Sequence, residues 1–368
     1  MHDDDYNMIR DQARRFLTDA MQPERLKALL EQPGSFDAAA WASACELGWP
    51  ASAPAEQDDG LGLGWRGVCV LAEEIGRSGA SLPLIGTAAA AQLLLTEAQG
   101  STAHAVAAEL ISGERHACLA LAVSGEAGIA LAPDCTCHAG RLSGNAAVTP
   151  FAASADYALV PAFTDGVSGL VLVALAQSGV ERRVCASIDN SRAAASLHFD
   201  HAEATVLSAA GLEVGHGALW RVASLAALAT AFEQLGAAQV CLDMACAYAL
   251  ERKAFGQVIG RFQSIKAKLA DMYIRIEMAR GCAIDALDAL ERGDPGWQGL
   301  AAAARASATD AYEVAARENI QTHGAIGVTW EAMPHHHYRR SRALALELGA
   351  SGMWRERLLS EAVFLQSA

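Results

Sequence analysis

The chain is 368 residues long, 52% apolar, and carries a formal net charge of −14. That length is enough for two or three domains sharing a substantial core, and the negative charge excludes general affinity for nucleic acid or an anionic membrane surface. An anionic small molecule is not excluded, because a few arginines and helix N-termini can hold one locally.

No uninterrupted apolar run reaches the length of a bilayer span, so no membrane insertion is expected. The opening MHDDDYNMIRDQ is acidic and lacks the basic-then-apolar build of a secretory leader. A cytoplasmic protein is the expectation. Nine scattered cysteines, an odd number, read as reduced and mostly buried thiols. Cys135, Cys137 and His138 form the only cluster, and without a second half-site no metal is expected there.

Helical periodicity begins near Met8: Ile9, Ala13, Phe16 and Leu17 stand at i, i+4, i+7 and i+8, one face of an amphipathic helix. Further helices are predicted at 38–47, 67–77 and 87–96, separated by Pro/Gly-rich breaks. From about 116 to 207 the segments ACLALAV, ADYALVPAF, GLVLVAL and AASLHF alternate with Gly, Ser, Asp and Pro turns, which signals an antiparallel β domain. From about 213 long Ala/Leu/Glu/Arg-rich runs return, broken at 256–260, 292–299 and 324–327. Those breaks define four or five long helices of an up-and-down bundle. The expected fold is mainly α with a central β domain (α+β). It has an N-terminal helical domain (1–113), a middle antiparallel, β-barrel-like domain (114–210) and a C-terminal up-and-down four-helix bundle (211–368).

Three motifs bear on chemistry. GLGLGWRG places glycines at 62, 64 and 67, but a dinucleotide site needs a preceding strand, so a tight interhelical loop is the better reading. HHHYRRSR (335–342) puts three consecutive histidines on different helix faces, which argues against one shared metal. Its Arg339, Arg340 and Arg342 are ion-pair or phosphate partners, or a solvated face. The run ERKAFGQVIGRFQ (251–263) places Arg252 at a helix end, with Gly256 as a C-cap and a new helix from Gln263. An arginine beside a helix N-terminus suits a phosphate, or Arg252 pairs an acid across a helical hairpin.

Taken with RENIQTHGAIG (317–327) and the N-terminal RDQARRFL (10–17), that run resembles the acyl-CoA dehydrogenase family along nearly the whole chain. The family signatures are R-K-x-F-G-x-x-I-x-x-F-Q and Q-x-H-G-G-x-G. The resemblance implies tetramers in which each FAD is held partly by its own subunit and partly by a neighbour's C-terminal domain. It also implies proton removal from an acyl thioester α carbon, with hydride transfer from the β carbon to the flavin. The positions matching the neighbour-donated cofactor set are Arg252, Phe255, Gln263, Gln321 and Gly324, with Ala325 at the second glycine.

The set that holds a subunit's own flavin departs from the family. LALAVSGEAG (119–128) stands where the family has T-E-P-x-x-G-S, and Val148, Thr149 and Pro150 stand at its W-x-T. The C-terminal Glu-Gly-Thr segment reads Leu348, Gly349 and Ala350. The commonest catalytic glutamate thus falls on Leu348 beside Glu347, and the alternative base position on Ala226, with Glu233 two turns on. Glu347 and Glu233 are the candidate bases.

The selective retention implies a subunit of a heteromeric α2β2 acyl-CoA dehydrogenase that shares FAD with a homologous flavin-holding partner. Its expected substrate is a bulky acyl-CoA of sterol type, and its electron acceptor an electron-transfer flavoprotein. The alternatives are a self-sufficient homotetramer with a displaced glutamate base and a purely structural subunit.

Overall fold

A computed structural model describes residues 3–96, 101–121, 134–164, 167–208 and 217–367. Helices α1 (Asp3–Ala20), α2 (Pro23–Glu31), α3 (Ala38–Glu46), α4 (Gly64–Ser78), α5 (Leu84–Thr96) and α6 (Ser101–Ser112) come first. In α1 the face read from the sequence turns inward, with Ile9, Ala13 and Leu17 buried. Arg14 on the same helix grips the buried Glu74 of α4 through two hydrogen bonds of 2.9 and 2.6 Å. Gly62 takes positive φ just ahead of α4 and Gly64 does so at its first residue, so this run is a turn into a helix with no strand before it.

Eight strands follow: β1 (Ala117–Leu119), β2 (Cys135–His138), β3 (Arg141–Thr149), β4 (Tyr157–Thr164), β5 (Val167–Ala174), β6 (Val180–Val184), β7 (Ala195–Glu203) and β8 (Thr205–Ser208). Their pairing runs β6-β7-β3-β2-β4-β5-β8, with β1 also on β4. The sheet is mixed rather than wholly antiparallel, because β1 and β2 both lie parallel to β4. Alternation along a strand reports which faces are buried but not the direction of its neighbour. In β2 the thiols of Cys135 and Cys137 point into the β-domain core. Among the described residues no His/Cys/Asp/Glu cluster could hold a metal.

The C-terminal region comprises α7 (Ala218–Glu251), the short hairpin β9 (Lys253–Ala254) and β10 (Gln257–Val258), α8 (Gln263–Glu291), α9 (Trp297–His323), α10 (Pro334–Leu344) and α11 (Ser351–Ser367). Long helices with short connections pack side by side as a bundle. Helix α7 is apolar and long enough to cross a membrane, but 89% of its apolar window is buried inside the protein, which marks a core helix. It meets α4 where two glycines face each other's backbone. A Cβ on Gly76 would stand 1.8 Å from the Glu233 carbonyl oxygen, and one on Gly236 would stand 2.0 Å from that of Glu73. Glycine at both positions lets the helix axes approach closely beside Glu233.

One local expectation is corrected. Helix α7 ends at Glu251, and Gly256 is not its cap. Phe255 and Gly256, with φ of 51° and 78°, form the two-residue turn of the β9–β10 hairpin. Both residues at positive φ is the type I′ geometry that matches strand twist.

Candidate active site

A cavity of about 390 Å³ opens where α5, β1, the end of β3, the turn before β7, α7 and the segment after α10 meet. Its wall includes the apolar side chains of Ile85, Leu119, Phe151 and Leu348, together with Arg192, Glu233 and Glu347. Both glutamates singled out as candidate bases therefore face one space, although 114 residues of chain separate α7's Glu233 from Glu347. Val148, Thr149 and Pro150 also line it, with Val148 half-exposed at the end of β3. Residues 122–133, which hold most of the LALAVSGEAG departure, lie outside the described residues.

Arg192 controls the two carboxylates. It sits in a single 3-10 turn, Asn190–Arg192, whose preceding Asp189 accepts from the Ser191 backbone N–H and hydroxyl. From there Arg192 Nη1 donates to Glu233 Oε1 at 2.9 Å, and Nη2 donates to both oxygens of Glu347 at 2.7 Å. Its guanidinium carbon lies 4.9 Å from the centre of the Phe151 ring, a cation–π distance. The β domain thus reaches into the helical domain with one cation and ties both glutamates.

Two further buried arginines complete the network. Arg340 of α10 pairs with Asp189, donates to Glu233 Oε1 at 3.4 Å, and bonds the Ala80 carbonyl oxygen at 2.7 Å. Arg305 of α9 donates to Gln234 at 2.6 Å and to the Glu347 carbonyl oxygen at 2.8 Å, and also holds the Leu344 carbonyl. That grip fixes the chain where Leu348 and Gly349 take φ of 59° and 96°, a left-handed pair that turns the segment toward α11. Three arginines balance Asp189, Glu233 and Glu347, as buried charges require.

The electrostatics follow from burial and neighbours. Burial pushes Glu233 above the ordinary carboxylate range, against the pull of Arg192 and Arg340. Burial acts the same way on Asp189, but Arg340, Ser191 and Arg192 together outweigh it and hold that carboxyl low. Arg192 is kept charged despite burial by Glu233 and Glu347, while burial lowers Arg305 to about 10. A general base needs a free lone pair aimed at its proton. Here both Glu347 oxygens and Glu233 Oε1 already accept from arginine.

The residues matched to cofactor binding lie elsewhere, together at one end of the bundle. Tyr248, one turn before Arg252, stacks on His323 with ring centres 4.2 Å apart, and Lys268 near the start of α8 pairs with Glu318 of α9 at 2.8 Å. These contacts bring the Arg252, Phe255 and Gln263 segment beside Gln321 and Gly324. All five are exposed, Phe255 to 96%. Among the described residues Arg252 forms no ion pair, so the hairpin salt bridge considered from sequence is not made. Gly324 has φ 66° and ψ −144°, a backbone region open essentially only to glycine, and a Cβ there would meet nothing within 4 Å. An exposed cation, a helix N-terminus at Gln263 and a glycine that leaves its backbone open suit a phosphate-bearing cofactor.

Sequence reading missed Arg192 and Arg305. Arg305 carried a signal, since it stands in AAAARASATD, where small neighbours on a helix let an arginine be buried. Arg192 carried only its place in a polar turn. Of the HHHYRRSR cations, Arg340 is buried in the network, whereas Arg342 pairs with Glu313 at the surface.

Comparison with known proteins bears on the fold and the family. The chain matches the acyl-CoA dehydrogenase N-terminal domain over residues 3–114 and the C-terminal domain over residues 216–363. It is 29% identical over 356 residues to the acyl-CoA dehydrogenase IpdE2 of Mycobacterium tuberculosis, covering 96% of both chains. Among solved structures it is similar to a variant of the Tcur3481-Tcur3483 steroid ACAD, with TM-score 0.90, 29% identity and 99% of both chains covered. The ChsE4-ChsE5 complex from Mycobacterium tuberculosis shares the fold at TM-score 0.87 and 22% identity, over 99% of this chain and 98% of that one. The two-domain match and the full-length similarity place the chain in the acyl-CoA dehydrogenase family, oxidoreductases that act on the CH–CH group of an acyl-CoA.

Proposed function

We propose that this chain is one subunit of a heteromeric, FAD-dependent dehydrogenase that desaturates an acyl-CoA thioester between its α and β carbons. In this reading its bundle end completes a FAD site centred in a homologous partner. The observation that carries the proposal is the division of charge. Glu233 and Glu347, both in the cavity wall, are tied to Arg192, while Arg252 stands exposed beside Phe255 at the surface.

FAD, when bound, supplies the hydride acceptor. This chain's part is to hold its phosphate-bearing end. Arg252 and the first N–H groups of α8 neutralise the pyrophosphate, and Phe255 covers an apolar face. Gln263 and Gln321 donate and accept hydrogen bonds, and Gly324 allows close backbone approach. The carboxylate that removes the α proton then belongs to the partner. A bulky, sterol-type acyl group is supported by the similarity to a steroid ACAD. An electron-transfer flavoprotein as acceptor follows from the family resemblance.

A second reading, a self-sufficient homotetramer, is favoured by one observation: Glu233 and Glu347 share the cavity, and Glu233 holds its proton more tightly than an ordinary carboxylate. A purely structural role leaves the exposed Phe255 on its strained turn without a purpose. The test is to purify the chain alone and with the product of a neighbouring homologous gene, then measure flavin content and acyl-CoA oxidation. One FAD per pair of unlike chains, lost on Arg252→Ala, is the expected result. A full complement of FAD and full turnover by this chain alone refutes the heteromeric reading.

A further inference from the structure

Two successive rungs join the C-terminal ends of α7 and α9. In the first, the buried Asn319 donates through Nδ2 to Met244 Sδ at 3.6 Å. In the second, the Tyr248 and His323 rings stack with their planes 27° apart. Met244 and Tyr248 stand at i and i+4 on α7, as do Asn319 and His323 on α9, so each pair lies on one helix face. The His323 ring is itself held, since its Nδ1–H donates to the Asn319 carbonyl oxygen at 2.9 Å. A carbonyl only accepts, so the proton sits on Nδ1, and that bond fixes the orientation of the ring against Tyr248.

Beyond the second rung each chain runs directly into a residue matched to the cofactor. Arg252 follows Tyr248 by one turn, and its backbone N–H donates to the Tyr248 carbonyl oxygen at 2.9 Å. Gly324 follows His323 at once, in a backbone conformation open essentially only to glycine. Arg252 and Gly324 are both exposed and belong to different elements, yet a clamp on one phosphate group needs them at a fixed separation. Side chains locked by packing just behind a site supply that kind of constraint. We propose that the Tyr248–His323 stack sets the spacing of Arg252 from Gly324 and so tightens FAD binding without touching the cofactor. Tyr248 and His323 are positioning residues in this scheme. The inference rests on the functional reading that this end of the bundle completes a FAD site.

The test is titration of FAD into the flavin-free assembly of this chain with its homologous partner, followed by flavin fluorescence. Tyr248→Leu removes the stack from α7 and His323→Gln removes it from α9. Each weakens FAD about three- to tenfold, the worth of a stacked ring pair. Tyr248→Phe keeps a ring on His323 and restores the affinity. Because the stack acts through Arg252, Tyr248→Leu adds nothing in an Arg252→Ala background, whereas independent losses would add. Should Tyr248→Leu fail to fold, His323→Gln carries the same comparison from the other helix.

FAD affinity unchanged in Tyr248→Leu and His323→Gln overturns the inference. So does an equal loss in Tyr248→Phe and Tyr248→Leu, or a loss that adds in full to that of Arg252→Ala. The Arg252→Ala variant separates the two claims. If it binds FAD as tightly as wild type, the functional reading fails. If it binds more weakly while Tyr248→Leu and His323→Gln bind normally, only the inference fails.

Discussion

Removing the central cation while leaving its acids in place, Arg192→Met, isolates what the buried network contributes. Breaking a buried ion pair by deleting one partner costs about 3–5 kcal/mol, because the remaining charge is uncompensated. Here one deletion strands two acids unequally. Glu233, 2% exposed, keeps Arg340 at 3.4 Å, whereas Glu347, 15% exposed, loses both of its side-chain hydrogen bonds. The costs overlap, since either acid can be relieved by taking up a proton. The expected loss at neutral pH is therefore in the upper part of that range, about 4–5 kcal/mol.

The pH dependence gives the effect a signature. Without Arg192 the buried Glu233 carboxyl, already raised by burial, holds its proton still more tightly folded than unfolded, where glutamate titrates at about 4.3. Its folded pKa is raised, so the penalty is absent below the unfolded value and grows as pH rises toward the folded one. Urea unfolding across that window, with the m-value unchanged, measures it. The triple variant Arg192→Met/Glu233→Gln/Glu347→Gln, which removes all three charges, should recover most of the loss. A loss in Arg192→Met below about 1 kcal/mol, or one flat with pH, would show that the acids simply rehydrate through the cavity, and the reasoning about burial fails.

Three other outcomes are expected. Gly76→Ala places a methyl 1.8 Å from the Glu233 carbonyl oxygen, forcing α4 from α7 at a cost of about 3 kcal/mol; an unchanged melting temperature would contradict it. Arg252→Ala removes an exposed, unpaired side chain, so its unfolding free energy stays within about 0.5 kcal/mol of wild type, while FAD retained by the assembled enzyme falls, as flavin absorbance reports. Asp156 titrates at about 2, because His116 and Arg115 outweigh the burial that pushes it up. Its depressed folded pKa makes its stabilisation complete above the ordinary ~3.9 and lost as pH falls from there through about 2. Asp156→Asn should therefore unfold at higher pH on acid titration followed by circular dichroism.

Most helices were legible because their cause is local. The i, i+4, i+7 spacing of Ile9, Ala13 and Phe16 predicts α1, and the breaks at 256–260, 292–299 and 324–327 fall between the long C-terminal helices. The exceptions are instructive. Phe255-Gly256 reads as a helix end until its pairing partners are known, since a glycine at positive φ serves a cap and a hairpin turn alike. The sheet's mixed direction escaped notice because alternation is blind to the neighbour.

The amino-acid sequence by itself determined the family, the order of helical, β and helical regions, and the segment that presents Arg252 and Phe255, all properties of short contiguous runs. Only the tertiary structure decided what Glu233 and Glu347 do. Their shared cation lies 41 and 155 residues away along the chain, and no local pattern encodes a charge that arrives from another domain. Burial then turns that encounter into a strong constraint, since charges removed from water must find each other.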